Sequence, residues 1–407
     1  MLVEFNVENF KSFRGEQVVS FVSSKRYDSE QYRDNIIENI PKAGSLVKSN
    51  FIYGANASGK SNIIDAASAM KQIVCSSLRF NPDQKLPVKP FKLDKISRNK
   101  GTTFEVSLVI EGTLYIYGFE VDEKEFISEW LYYYPKGRQR EVFSREGLEV
   151  KVNKEIKLSK KVQEGISPNV CFLSWAGKWE TSVFRKVFDW FADKLVVVKH
   201  PRFSGNFTNK MALDESLRSE IVKQLSEADV GITDLRIIER EIDEGSFNFP
   251  DDMPEELQER FISDFKRKPL FTHSGEIGGE FEWEEESEGT KAFYGFCGPL
   301  IDIINNDKTL FIDEIEQSIH PLLMEKVLRY FHTRSRNAQL FAATHNTYLL
   351  RNDTNVVRRD QIWFVEKDEN GISSVFPLSD FKQRKGNSIE DRYLNGRFGA
   401  VPVLSDF

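Results

Sequence analysis

"SNFIYGANASGKSNIIDAASAMKQIV", residues 49–74, decides how the rest of the chain is read. Gly54-Ala55-Asn56-Ala57-Ser58-Gly59-Lys60-Ser61 fits G-x-x-x-x-G-K-[ST]. A short apolar run, Phe51-Ile52-Tyr53, precedes it, and a helix-forming segment beginning Asn62-Ile63-Ile64 follows. That strand–loop–helix context is the one the pattern requires. The glycines let the backbone curl until successive N–H groups face one anion, and the helix N-terminus adds its partial positive charge. Asn56, Gly59, Lys60, Ser61 and Asn62 are therefore the candidate phosphate contacts. Lys60 is expected to reach the β- and γ-phosphates of a nucleoside triphosphate, and Ser61 to ligate Mg²⁺.

A loop of this kind needs an acidic partner, and "TLFIDEIEQSIHP" (309–321) supplies one. Leu310-Phe311-Ile312 reads as a buried strand that ends in Asp313-Glu314. Ligands in α/β sheets bind at the C-terminal ends of the strands. Asp313 suits a Mg²⁺ site and Glu314 suits the base that activates water. A further apolar strand, "LFAATHNTYLL" (340–350), ends in Thr344-His345 after a helix expected over 322–333. His345 could hydrogen-bond a γ-phosphate or the attacking water. The catalytic candidates are thus Glu314 and His345, and the metal ligands are Ser61 and Asp313.

Around these motifs the pattern is mixed α/β. Residues 2–7 and 18–22 read as a hairpin, and 103–121 as a second one turning at Glu111-Gly112. Strand-like pieces follow at 126–134 and 140–152. Residues 205–270 turn polar, with helical spacing in 214–228 and 253–268, and read as a helical insertion. From 281 onward a strand–helix alternation through a last strand suggests a parallel layer. The expected division is an N-terminal lobe (1–204) with hairpins and phosphate loop, an insertion (205–280) and a C-terminal lobe (281–407).

Composition excludes several classes. The 407 residues are 40% hydrophobic and 29% charged, with 33 Phe, enough for a substantial core. No apolar run approaches the ~20 residues that span a bilayer, and no signal peptide is read, so a cytoplasmic protein is expected. Cys75, Cys171 and Cys297 lie far apart, which predicts reduced thiols. The net charge of −7 disfavours a general nucleic-acid binder, although basic clusters occur at 89–101, 265–268 and 381–386.

One acidic stretch resists a bland reading. "GEFEWEEESEGTKAF" (279–293) begins as a half-exposed strand whose glutamates read as a solvated face. It then breaks at Ser287-Glu288-Gly289-Thr290 into an apolar helix. Ser287 is a good N-cap, and Gly289 permits close approach of an anion. Glu288 is expected to turn aside or pair with a base, and Pro299 to kink the helix.

In this order the pieces resemble the ABC-type ATPase heads of the SMC, Rad50, RecF and OLD group, and most of all its compact bacterial AAA15-type members. The residues that carry the likeness are "VENFKSFRG" (7–15), "GANASGKSN" (54–62), "PFKLD" (90–94), "ESEGTKAF" (286–293), "LFIDEIEQSIHPLL" (310–323), "ATHN" (343–346), "DFKQRKG" (380–386) and "NGRFGAVP" (395–402). The resemblance implies ATP and Mg²⁺ as cofactors and two heads sandwiching two nucleotides, as a homodimer or higher homo-oligomer. It implies that Ser287 and Gly289 act on the partner's nucleotide, and that Glu316, Ser318 and His320 face the partner's site. It places a basic residue, Lys11 or alternatively Arg14, near the phosphates. Where this sequence departs from the group, it has Ser-Glu-Gly-Thr for Ser-Gly-Gly, and Gln84 or the 90–94 segment stands nearest to a Q-loop. It shows no long coiled coil, and no nuclease domain is expected after the head. The family implies slow ATP hydrolysis that controls a separately encoded nuclease or toxin in anti-phage defence. The alternative is a RecF- or Rad50-like ATPase of DNA repair or maintenance that binds DNA. A transporter domain would lack both the β-rich N-terminal segment and the "GRFGAVP" tail.

Overall fold

The computed structural model describes residues 1–402 apart from 157, 159–161, 163, 164, 180–182, 229, 230, 244–246, 251, 252, 318 and 383–387. Its strands, in chain order, begin with β1 (Leu2–Glu8), β2 (Gln17–Ser20), β3 (Ile36–Ile40), β4 (Gly44–Val47), β5 (Ser49–Tyr53) and β6 (Thr102–Ile110). Then come β7 (Thr113–Val121), β8 (Phe126–Tyr133), β9 (Arg140–Glu146), β10 (Glu149–Val152), β11 (Leu195–Val198) and β12 (Ile232–Glu239). The last are β13 (Arg267–His273), β14 (Gly279–Glu282), β15 (Thr309–Ile312), β16 (Gln339–Ala343), β17 (Ile362–Lys367) and β18 (Ser373–Pro377).

The chain divides into two compact units. The first comprises Met1–Pro201, Asn306–Ile315 and His332–Phe407. It holds a six-stranded sheet of order β11-β15-β16-β5-β17-β18, parallel except at β18, which pairs antiparallel with β17. β5, β15 and β16 are buried at every residue, as strands covered on both faces must be. A seven-stranded antiparallel sheet, β10-β9-β8-β7-β6-β1-β2, lies over it. Phe5 of β1 meets Phe311 of β15 edge-on with centroids 5.8 Å apart, inside one apolar core. The β6–β7 turn places Glu111 at φ 49° and Gly112 at φ 74°, the positive pair that a two-residue hairpin with the right twist needs. This is a mixed α/β P-loop fold.

The second unit comprises Arg202–Asn305 and Glu316–Phe331. Helices Glu215–Glu227 and Glu255–Lys266 occupy the two segments with helical spacing. Asp214 caps the first, its carboxylate accepting from the N–H groups of Ser216 and Leu217. The insertion is not wholly helical, however. β12, β13 and β14 form an antiparallel sheet within it, in the order β12-β13-β14. The glutamates of β14 are not merely solvated: Glu280 pairs with Arg236 on β12 and Glu282 with Arg240 just after it. The unit also runs on through Asn305 and resumes at Glu316, so the chain does not pack along a 280/281 boundary. A second difference concerns the C-terminal alternation. Between β16 and β17 there are only 3₁₀ turns, at Thr347–Leu350 and Arg359–Gln361, because "TYLLRNDTNVVRRDQ" carries no amphipathic run of helical period.

The helix Glu288–Asn305 contains Pro299, which has no N–H to give the carbonyl of Gly295. Thr208 repairs the ladder. Its hydroxyl donates to the carbonyls of Tyr294 (3.0 Å) and Gly295 (3.3 Å) and accepts from the Gly298 N–H (3.2 Å). A side-chain oxygen is thereby inserted into the helix, much as a water is at kinked sites. Thr208→Val should cost about 1–3 kcal/mol, since it leaves buried backbone groups unpaired. Urea unfolding of the full chain, with Thr208→Ser as the variant that keeps the hydroxyl, measures it.

Candidate functional site

The C-terminal ends of β5, β15 and β16 meet at one edge of the parallel sheet. Phe311 is in register with Phe341 and Ile312 with Ala342, while Ala342 pairs with Phe51 and Ala343 with Ile52. Asp313-Glu314, Thr344-His345 and Gly54 therefore emerge side by side. The strand bearing His345 lies between the phosphate-loop strand and the acidic strand.

The loop after β5 is built to be tight. Gly59 sits at φ 117°, and Ala57 adopts a left-handed φ of 61° without being glycine. A Cβ at Gly54 would meet the Ser58 hydroxyl at 2.5 Å and the Val365 carbonyl at 2.6 Å, and a Cβ at Gly59 would meet the Ser373 hydroxyl at 2.8 Å. Lys60 opens the helix Lys60–Ser76 and is buried, its ammonium donating to the carbonyls of Gly54 (2.8 Å) and Ala55 (3.1 Å). Asn56 and Ser61 are exposed.

Hydrogen bonds tie this loop to distant parts of the chain. Asn62 donates through Nδ2 to the Ser12 hydroxyl (2.6 Å). Ser373 donates to the Ser58 carbonyl (2.5 Å) and lies 2.7 Å from the Ser12 hydroxyl, and its N–H donates to the Ser12 carbonyl (2.8 Å). The turn between β1 and β2 is thus fastened to the phosphate loop through Ser12. Lys11, in that turn at φ 52°, forms an ion pair with Asp65. Asp65 lies one helical turn beyond Ser61 and also binds Lys199 at 2.8 Å, just after β11. Burial pushes the Asp65 carboxyl up, but the hydrogen bonds and charges of Lys11 and Lys199 outweigh it, so it titrates below the ordinary range. Arg14 is exposed.

Ser61 and Asp313 are brought together: the serine side chain is close enough to act on the Asp313 carboxyl. Burial raises the Asp313 carboxyl above its usual range, Ser61 opposes this, and the charge of Glu314 adds to it. Glu314 is exposed and held at φ 47°, a left-handed backbone that a β-unbranched acid adopts only under constraint. His345 is exposed at the end of β16, and Asn346 after it caps the following turn through the Tyr348 N–H (3.0 Å).

These residues fit a nucleotide and its cation. The Ser58 hydroxyl is buried with no hydrogen-bond partner among the described residues, inside a loop whose glycines leave no room for side chains. The oxygens of Ser61 and Asp313 lie close together at the helix start. Mg²⁺ is commonly held by one or two protein oxygens, with phosphates and water completing the octahedron.

In the second unit, Ser287, Glu288 and Gly289 are exposed at the start of the helix Glu288–Asn305. Ser287 caps it, accepting from the Thr290 N–H at 3.1 Å. Glu288 is paired with Lys291 at 3.1 Å. Glu286 is buried and meets His273 Nε2 at 2.5 Å, so the acidic run is largely partnered. Glu316 and His320 follow β15, and Ser318 lies outside the described residues, as do 383–386 of the 380–386 cluster. Gln84 is exposed, and its amide oxygen accepts from the Asn81 N–H.

A family model described as "AAA domain, putative AbiEii toxin, Type IV TA system" matches residues 49–351, roughly three quarters of the chain. The chain belongs to this AAA-domain family. The matched stretch opens at the first residue of β5 and closes just beyond the His345 turn, so it takes in the whole sheet edge described above. No curated protein matches the sequence. Among solved structures, the SMC head domain from Thermotoga maritima is 13% identical, with 92% of this chain and 98% of that chain covered at a TM-score of 0.43. An Smc head with an extended coiled coil bound to the C-terminal domain of ScpA, from Pyrococcus furiosus, is 13% identical, with 93% and 97% covered at a TM-score of 0.43. A third, an Smc head bound to the C-terminal winged-helix domain of ScpA, is 15% identical, with 92% and 96% covered at 0.45.

Membership of an AAA-domain family indicates an ATPase. Among the described residues no helix is long and apolar enough to cross a membrane. Sequence reading did not single out Ser12, Asp65, Lys199 or Ser373. Asp65 alone had a local signal, four residues after Ser61 on the same helix face.

Proposed function

We propose that this chain hydrolyses ATP as an ABC-type head, and that ATP-dependent pairing with a second copy governs a separately encoded nuclease or toxin in anti-phage defence. The convergence of the phosphate loop and Asp313 at adjoining strand ends, with Ser61 close enough to act on the Asp313 carboxyl, is the observation that supports it best. Backbone N–H groups of residues 55–61 and the helix N-terminus would cradle the phosphates. Lys60 would exchange its carbonyl partners for phosphate oxygens, with Asn56, Gly59 and Asn62 shaping the loop. Lys11 lies in the turn fastened to that loop and would add a positive charge. Ser61 and Asp313 would hold Mg²⁺, which draws charge from the phosphate oxygens as the bond breaks.

Glu314 would take the proton from the attacking water. It follows the buried strand directly, and its exposure leaves room for water. His345, on the adjoining strand, would hydrogen-bond the γ-phosphate. Ser287 and Gly289 would close the partner's site with the free N–H groups of a helix start, Glu288 being held aside by Lys291. Glu316 and His320 would line the same partner interface. The second copy makes catalysis depend on association.

The ATPase rate per chain should therefore rise with protein concentration and level off once pairing saturates. A phosphate-release assay over a hundredfold range of enzyme tests this. A rate per chain constant from nanomolar to micromolar enzyme would count against shared sites.

A further inference from the structure

The basic cluster at 89–101 is not surface litter. Asn9, buried at φ 53°, holds it down: its Nδ2 donates to the carbonyls of Ser97 (2.8 Å), Lys100 (3.1 Å) and Gly101 (3.0 Å), and its Oδ1 accepts from the Phe91 N–H (3.1 Å). The Lys11 N–H donates to the Lys89 carbonyl (2.7 Å), and the Leu86 N–H to the Glu123 carbonyl (2.9 Å). These bonds fix the walls of a cleft of about 450 Å³ beside the phosphate-loop helix.

Five lysines line that cleft: Lys11, Lys85, Lys89, Lys92 and Lys199. Two carboxylates accompany them, Asp65 and Glu123, and both are committed, Asp65 to Lys11 and Lys199 and Glu123 to Lys85. Lys89 and Lys92 carry no side-chain hydrogen bond or ion pair among the described residues. Like charges gathered round one concavity repel one another unless an anion sits between them. The floor, by contrast, is apolar, with Leu86 and Val88 buried. No residue of the phosphate loop lines the cleft.

We propose that this cleft is a second anion site, which binds a small ligand bearing several phosphates. The volume is that of a small-molecule site, for which ~300–1,000 Å³ is usual. An extended nucleic-acid strand would call for a longer basic track, and the chain as a whole carries −7. The incoming phosphates compete with Asp65 for Lys11 and Lys199, so the carboxylate works against binding.

The test uses the full-length Lys60→Ala chain, which weakens the phosphate loop, and inorganic tripolyphosphate as the probe in isothermal titration calorimetry near physiological salt. One equivalent should bind. Adding Lys89→Glu and Lys92→Glu, both exposed positions, should weaken binding at least tenfold, with Lys89→Ala and Lys92→Ala as a milder pair if the reversal disturbs folding. Adding Asp65→Asn instead should tighten it several-fold. Absence of binding to Lys60→Ala, an unchanged affinity after loss of Lys89 and Lys92, or tighter binding of a single-stranded 12-mer than of tripolyphosphate would each overturn the proposal.

Discussion

Glu314→Gln is expected to keep its affinity for ATP and to hydrolyse it at least about a hundredfold more slowly, the usual worth of a positioned general base. Glutamine matches glutamate in shape, so the left-handed backbone at 314 and the buried strand before it are undisturbed. What is lost is the ability to take a proton from water. A sandwich that cannot turn over should also persist, so the variant with ATP and Mg²⁺ should elute at twice the mass of the nucleotide-free chain. Single-turnover hydrolysis and light scattering read the two effects. Normal hydrolysis would move the base to another residue, His345 first.

Lys60→Ala should weaken ATP binding by roughly 2–5 kcal/mol, which is ~30-fold or more, the range for removing one member of a buried hydrogen-bonded charge pair. Lys60 is buried and its ammonium already serves two carbonyls of its own loop. An alanine there leaves those carbonyls and the phosphates facing one another with no cation between. Equilibrium binding of a fluorescent ATP analogue measures the loss, and a thermal melt run in parallel separates it from unfolding.

The parts of the site that could be read from the sequence were those carried by contiguous residues. Gly54 to Ser61 is legible because glycine spacing, a lysine and a hydroxyl fall within eight positions. Asp313 and Glu314 are legible because they end a run that is buried on both faces. The contacts that hold these pieces in place are long-range. Ser12 meets Ser373 across the length of the chain, and Lys199 reaches Asp65 from the end of a different strand, and no local pattern marks either.

The sheet of the second unit was hidden for another reason. β14 was read as a half-exposed strand, but β12 reads "ITDLRIIE", in which charges interrupt the apolar alternation. Charges find one another across the sheet, Arg236 with Glu280 and Arg240, just after β12, with Glu282, so β12 holds where alone it looks like a solvated segment. The same partnering explains why the acidic run before Ser287 is less exposed in charge than its composition suggests. Ser287 itself was readable as a helix cap, since a hydroxyl before an apolar helical run has a local purpose whatever its further role.

The central claim is that each ATP is completed by two copies of the chain, and mixing two inactive variants tests it most directly. Lys60→Ala lacks a working phosphate loop, and Ser287→Arg lacks a working signature. In a mixed pair, the intact loop of one chain meets the intact signature of the other, and one of the two sites is whole. Equal mixing should therefore restore activity to about a quarter of the parent level, given random pairing of closed two-fold dimers with independent sites. Recovery of ATPase activity on mixing is the predicted result. No recovery on mixing, or full activity in Ser287→Arg alone, would contradict it.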